Sequence, residues 1–341
     1  MDIGMAGMLT AAALIGFAVS ALSGKWLIPW LHRLHFGQTI REVGPKWHQK
    51  KQGTPTMGGM LFALGTAAAL LVTVPVSLLL AREYPALSPF PNGGAITRFA
   101  AGLLLMAGCS AIGFADDYIK VVKKRNLGLT SVQKLVLQLL VAACYISSLY
   151  LCGDHVVNVP FAGEVEMGWW FFPFGIFIVV GTTNAVNLTD GIDGLCGSVS
   201  FLALLPLIVL AGCFGMGGEG LTAAALAGGI LGFLAWNLYP ARVFMGDLGS
   251  LFLGGALCAV AFGIQRPLLL VPIGIVYILE TLSVILQVTY FKLTHGKRLF
   301  KMSPIHHHFE MCGWSENTIV AVFSTVTLLG GIAALAIEMF A

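Results

Sequence analysis

Charge is what this chain has least of. Asp, Glu, Lys and Arg make up 10% of its 341 residues, against 57% apolar residues and a mean hydropathy of +0.87. A soluble domain carries about 25% charged residues, so a water-exposed globular surface is excluded. The formal net charge of +3 is too small for a nucleic-acid-binding surface, and no nucleic-acid partner is expected. Cysteine carries no framework either. The seven cysteines are odd in number, lie mostly in apolar runs and are never spaced CxxC, which leaves them as small core residues rather than disulfide or zinc ligands. Nor is a cleavable leader expected. No basic stretch and small-residue cleavage site flank the first apolar run, from Ile3 to about Leu22, and that run is long enough to remain as a span.

What the chain has in abundance is long apolar runs. They recur at about 3–24, 57–80, 98–115, 131–152, 169–186, 195–213, 221–237, 249–264, 267–290 and 317–338. Ten spans of roughly 20 residues use about 200 positions. The connections left over can hold a site but not a second soluble domain, so residues 1–341 read as a single integral membrane domain. Backbone in hydrocarbon must satisfy its own hydrogen bonds, and these Leu/Ala/Gly/Val/Phe runs lack the alternation of barrel strands. The expected fold is all-α and polytopic, with about ten transmembrane helices. The first and ninth runs can extend or bend at Pro29 and Pro272. Gly58-Gly59, Gly228-Gly229 and Gly254-Gly255 permit close helix contact.

With ten spans, alternate connections face opposite sides. Arg82, Arg98 and Arg266 fall on one side and the other sixteen of the nineteen Lys and Arg on the other. The positive-inside rule puts the rich side in the cytoplasm and both termini outside. The same parity gathers Asp116, Asp117, Asp190, Asp193 and Asp247 at cytoplasmic helix ends or loops, although they come from three connections. These acids lie in Gly-flanked, Asn-rich, nearly apolar surroundings, whereas the outer acids sit in ordinary solvated contexts. Carboxylates beside lysines at a membrane face point to a cation held together with phosphate groups.

Each cluster has a chemical reading and a plainer one. In GFADDYIK, 113–120, adjacent Asp116 and Asp117 point about 100° apart on a helix. One can ligate metal or take a proton while the other holds Lys120; a solvated helix cap is the alternative, made costly by the nearby hydrocarbon. In NAVNLTDGIDG, 184–194, Asp190 and Asp193 share a face if the turn is helical. A turn with two N-capping aspartates fits nearly as well, but this connection carries no lysine or arginine. In NLYPARVFMGDLGS, 237–250, Asp247 stands near Asn237 and Ser250 as an N-cap, a metal ligand or both. In SPIHHHFE, 303–310, no regular helix aims three successive histidines at one point, so at most two serve one ligand. The oxygen-rich company favours magnesium over zinc. Glu280, inside the ninth run, is functional by its position; pairing with Gln287 and facing a groove at the site both stay open.

The motifs GTPTMGG (53–59), FADDYIK (114–120), NLTDGIDGL (187–195), NLYPARVFMGDLGSL (237–251) and SPIHHHFE (303–310) resemble, in order and over nearly the whole chain, the polyprenyl-phosphate N-acetylhexosamine-1-phosphate transferases. Within that family the likeness is to the branch with a muramoyl-pentapeptide donor. The resemblance implies a Mg2+-dependent enzyme that transfers phospho-N-acetylmuramoyl-pentapeptide from UDP-N-acetylmuramoyl-pentapeptide to undecaprenyl phosphate. UMP is released and lipid I is made for peptidoglycan, at the inner face of a bacterial cytoplasmic (inner) membrane. It implies ten transmembrane helices with both termini outside, in the lipid bilayer, and a homodimer. On the matching positions it implies Asp247 as a magnesium ligand supported by Asp117, Asp116 as the base, and His306 as a further catalytic residue. Lys51, Thr56, Lys120 and His307 are then phosphate or nucleoside neighbours. Asn187, Asp190, Asp193, Asn237, Phe244 and Gln287 contact the nucleotide or sugar, with the Phe244 ring stacked on uracil. A lipid phosphate with a second pKa of about 6 is largely ionised near pH 7, so positioning matters more than a base; single displacement is the preferred route and a phospho-aspartyl intermediate the alternative.

Two other readings compete. A sibling enzyme using UDP-N-acetylglucosamine would share the aspartate motifs, and the SPIHHHFE loop weighs against it. A proton-coupled transporter would hold its acids near the midplane on broken helices, often with inverted repeats. Here the acids gather at one face and no internal repeat is visible.

Overall fold

The computed structural model describes residues 3–33, 53–122 and 128–340. In chain order its helices are α1 (Ile3–Arg33), α2 (Gly59–Leu80), α3 (Gly93–Val122), α4 (Ser131–Leu151), α5 (Phe171–Thr189), α6 (Leu195–Cys213), α7 (Gly217–Asn237), α8 (Gly246–Gly263), the short α9 (Leu270–Ile273), α10 (Ile275–Leu293), the short α11 (Ile305–Met311) and α12 (Glu316–Phe340). Ten of them, all but α9 and α11, are long and apolar enough to cross a membrane. The chain is a mostly helical, multi-pass membrane protein.

The two prolines behave differently. α1 runs through Pro29 to Arg33 without a break. The ninth run is broken, into a 3-10 turn at Pro267–Leu269, the single turn of α9 with Pro272 inside it, and α10 beyond Gly274. Proline withholds the N–H that would continue a helix, and a following glycine lets the chain redirect. The all-α expectation needs one correction, an antiparallel hairpin of β1 (Val156–Val159) and β2 (Gly163–Glu166), with Val156 opposite Glu166. Strands of four residues are too short for alternation to register in a sequence dominated by apolar runs.

α7 and α8 form the centre. Their most apolar windows are 89% buried, against 28% for α4, α10 and α12. α1 packs on α7 and α2, α3 and α5 on α8, and α6 on α7 and α12. The glycine pairs act as their spacing predicts: a side chain at Gly228 would collide with the Ala13 carbonyl, one at Gly59 with Gly249, and one at Gly254 with Thr183. Missing side chains thus let backbones meet where no hydrophobic force pulls helices together within lipid.

The bundle's two ends are built differently. At one end, Arg98 near the start of α3 pairs with Asp154 at 2.8 Å, Gln265 donates to the same carboxylate at 2.8 Å, and Arg266 pairs with Glu338 at 2.8 Å. At the other end the C-termini of α3, α5 and α7 meet the N-termini of α4, α6 and α8, and there the acidic motifs converge.

Candidate active site

α3 brings its acids to α8 because residue 113 is glycine. Any side chain there would run into the Asp247 carbonyl. Asp116 and Asp117 are 3% and 2% exposed, so a solvated cap is ruled out. One carboxylate oxygen from each of Asp116, Asp117 and Asp247 lies within 4.8 Å of the others. Lys120 Nζ enters this group, 2.6 Å from Asp116, 2.8 Å from Asp247 and 3.7 Å from Asp117. Lys134 Nζ adds a second ammonium, 2.9 Å from Asp247. Lys134 owes its place to a capping box that starts α4: the Thr130 hydroxyl accepts from Gln133 N–H, and the Gln133 side chain accepts from Thr130 N–H.

Backbone fixes the remaining oxygens. Leu129 N–H donates to Asp116 Oδ1 at 2.8 Å and Leu248 N–H to Asp117 Oδ2 at 3.0 Å. Asp247 is the second residue of α8, whose N-cap is Met245, so the capping reading fails. Its Oδ1 instead accepts from Asn187 Nδ2 at 2.7 Å, and the same amide nitrogen donates to Ser250 Oγ at 2.8 Å. Three carboxylates and two ammonium groups leave room for positive charge, and the donors are all oxygen. This set fits a magnesium ion, with Asp117 and Asp247 as ligands, better than zinc.

The 190–194 segment is a turn, not a helix, so Asp190 and Asp193 do not share a helical face. Neither caps α6, whose N-cap is Gly194 at φ 77°. Asp190 accepts a backbone hydrogen bond from Gly246; burial first, then the charges of Asp247, Asp117 and Asp193, push its pKa up to about 8. Asp193 turns to the next loop, accepting from Ala241 N–H at 2.9 Å, while its own N–H donates to Glu316 at 3.0 Å. Asn237 ties the same two loops, accepting from Gly194 N–H at 3.1 Å and donating to the Val243 carbonyl at 2.9 Å. Phe244 is half-buried, its backbone laced to the 53–59 segment through Pro55 and Gly58, each at 2.8 Å. That lacing sets Thr56 beside the three-aspartate group: a side chain at Gly246 would stand 2.6 Å from both Thr56 Oγ1 and Asp117 Oδ2. Lys51 lies outside the described residues.

α11 sends its histidines three ways. His306 is wholly buried, with Nδ1 3.0 Å from Glu280 Oε1 and Nε2 packed against Gly191. His307 Nδ1 meets Glu310 at 2.6 Å, and His308 Nδ1 accepts from Lys301 N–H at 3.2 Å. Gln287 supports the loop before α11, its Oε1 accepting from Leu299 and Phe300 N–H at 3.1 and 2.8 Å. Glu280 therefore pairs with His306 rather than with Gln287. Asp116, Asp117, Asp247, Lys120, Asn187, Asp190 and Thr56 form one continuous site. His306 reaches it through Gly191, whereas Gln287, Asp193 and Asn237 hold the loops around it and His307 pairs within α11. Lys134 was missed as a site residue. Its only sequence signal is a lysine at the start of an otherwise apolar run, just after a Thr-x-x-Gln capping pattern.

The glycosyl transferase family 4 model matches residues 99–265, the stretch from α3 through α8 that carries the three-aspartate group. Relatives match far more. A phospho-N-acetylmuramoyl-pentapeptide-transferase of Clostridium perfringens (strain 13 / Type A) is 45% identical over 322 residues, covering 94% of this chain and 96% of that one. Proteins of the same name from Heliobacterium modesticaldum (47% over 324 residues, 93% and 94%) and Halalkalibacterium halodurans (44% over 340 residues, 98% and 98%) are similar throughout. With likeness of that extent running through every element that builds the site, the chain belongs to the phospho-N-acetylmuramoyl-pentapeptide-transferase family, a family of membrane transferases of peptidoglycan synthesis.

Proposed function

We propose that this enzyme transfers phospho-N-acetylmuramoyl-pentapeptide from its UDP-linked donor to undecaprenyl phosphate, giving lipid I and UMP. The site faces the cytoplasm of the bacterial inner membrane, and both termini lie outside. The observation that carries the reading is the meeting of Asp116, Asp117 and Asp247 from two helices within 4.8 Å, with two lysines among them, at one end of an apolar bundle. A diphosphate and a lipid phosphate repel each other, and a site that joins them must supply positive charge and hold the reacting atoms in line.

A magnesium ion held by Asp117 and Asp247 would neutralise diphosphate oxygens and the departing UMP. Lys120 and Lys134 add fixed positive charge on the same side. Asp116, held beside Lys120, takes the proton of any lipid phosphate that arrives protonated. An oxygen of that phosphate then attacks the sugar-bearing phosphorus, and the bond to UMP breaks as the new one forms. Asn187, Asp190 and Thr56 border the donor, and the Phe244 ring offers uracil a face. Asp193 and Asn237 serve the nucleotide by holding the loop that carries Asp190. Lys51, His306, His307 and Gln287 complete the set of proposed substrate and reaction residues.

The test is UMP release from UDP-N-acetylmuramoyl-pentapeptide and undecaprenyl phosphate in detergent, with UDP-N-acetylglucosamine as the competing donor, with and without EDTA. Release from the muramoyl donor alone, abolished by EDTA and restored by Mg2+, is the expected result. Turnover of the N-acetylglucosamine donor at equal rate would move the assignment to the sibling activity. A phospho-sugar adduct trapped on Asp116 would replace the single displacement with two steps.

A further inference from the structure

Glu280 is an acid within a membrane-spanning helix that none of the roles above uses. It is 0% exposed on α10, and so is its partner His306 on α11. Oε1 stands 3.0 Å from His306 Nδ1, and the far atoms of the pair, Glu280 Oε2 and His306 Nε2, have no hydrogen-bond partner among the described residues. Burying such groups without partners costs stability, so a pair kept this way points to use rather than packing. With the carboxylate as acceptor, Nδ1 carries the proton of this pair, and Nε2 is the nitrogen turned towards Gly191.

Gly191 is the point at which this pair touches the site. A side chain there would occupy the place of His306 Nε2. Its neighbour Asp190 accepts from Gly246 N–H and faces the charges of Asp247 and Asp117. The contacts therefore run from Glu280 through His306 and Gly191 to Asp190 and on to the carboxylates of α3 and α8. Ser283 donates to the Glu280 carbonyl at 2.6 Å, one turn along α10.

We propose that Glu280 is a positioning residue of the transfer reaction. Its carboxylate fixes the ring orientation and proton placement of His306, and His306 in turn seats the 190–194 turn against Asp247. The proposal rests on the functional reading above and deepens it, because it assigns the buried acid of α10 to the same site although it touches no substrate.

The experiment compares Glu280→Gln, Glu280→Ala, His306→Ala and the Glu280→Gln/His306→Ala double variant of the full chain in detergent. It reads UMP release, separated into kcat and KM for UDP-N-acetylmuramoyl-pentapeptide, with the thermal midpoint as a control for folding. Removing a carboxylate that orients a functional histidine costs about 10- to 100-fold in comparable arrangements. The expected result is a kcat loss of that size in Glu280→Ala and a smaller one in Glu280→Gln, which keeps the shape and an acceptor. KM should stay within about twofold. The double variant should lose no more than His306→Ala alone, because the acid acts only through the ring. Glu280→Gln conserves volume and decides the matter if Glu280→Ala does not fold. Losses that multiply in the double variant, or full kcat in both Glu280 variants while His306→Ala is impaired, overturn the proposal but leave the reaction assignment intact. Full activity of His306→Ala instead removes His306 from the reaction and the proposal with it.

Discussion

Asp190 shows how closely the site's residues constrain one another. Its pKa is raised from 3.8 to about 8 by burial and by the neighbouring carboxylates. The unfolded chain releases that proton near pH 3.8, while the folded chain keeps it up to about 8. Between those limits the folded state binds more protons, so this residue makes stability fall as pH rises from about 4 to 8, with no further change above. In EDTA-treated protein, Asp190→Asn should make the decline of thermal midpoint over that window shallower. An identical slope in the variant would contradict the assigned environment. Phe244 gives a second expectation. Base stacking on an aromatic face is worth about 1–3 kcal/mol, so Phe244→Ala should weaken UDP-sugar binding by that amount in calorimetry and leave Mg2+ binding unchanged. Normal nucleotide affinity would remove the ring from the site.

Between helices, the decisive feature is how closely α3 approaches α8. A methyl group at Gly113 would meet the Asp247 backbone, whereas one at Gly102, on the same helix, would meet the Ala259 side chain at 3.1 Å. Overpacking typically costs about 1–3 kcal/mol. Gly113→Ala should lower the thermal midpoint and abolish most UMP release by parting Asp117 from Asp247, while Gly102→Ala keeps substantial activity. Equal activity in the two would show that the close approach does not matter to the chemistry. The helices themselves were legible in the sequence because length and apolarity set them, and the parity of the connections placed all five inner aspartates at one end. Partner choice was not legible. That Asp247 meets Lys134 across 113 residues, or that Glu280 meets His306 rather than Gln287 on its own helix, depends on which helices become neighbours, and periodicity carries no such information. The hairpin at 156–166 escaped for a different reason, since strands of four residues leave no pattern to read.

For the molecule as a whole, the proposed orientation makes a topological prediction. Glu83 and Lys297, both exposed, belong to connections of opposite parity. In a background without the native cysteines, Lys297→Cys should react with an impermeant maleimide only after the inner membrane is opened, and Glu83→Cys before it. The reverse pattern would invert the protein in the bilayer and put the reaction on the wrong side for a nucleotide donor. α3 adds a measure of depth. From Arg98, anchored to Asp154, to Asp116 is eighteen residues of one helix, about 27 Å at 1.5 Å per residue, close to the hydrocarbon thickness of about 30 Å. A rod pinned at the far surface thus works as a ruler, setting the carboxylates level with the headgroups of the opposite leaflet. The proposed polyprenyl phosphate acceptor would then present its charged end by sliding sideways, with its tail never leaving the oil.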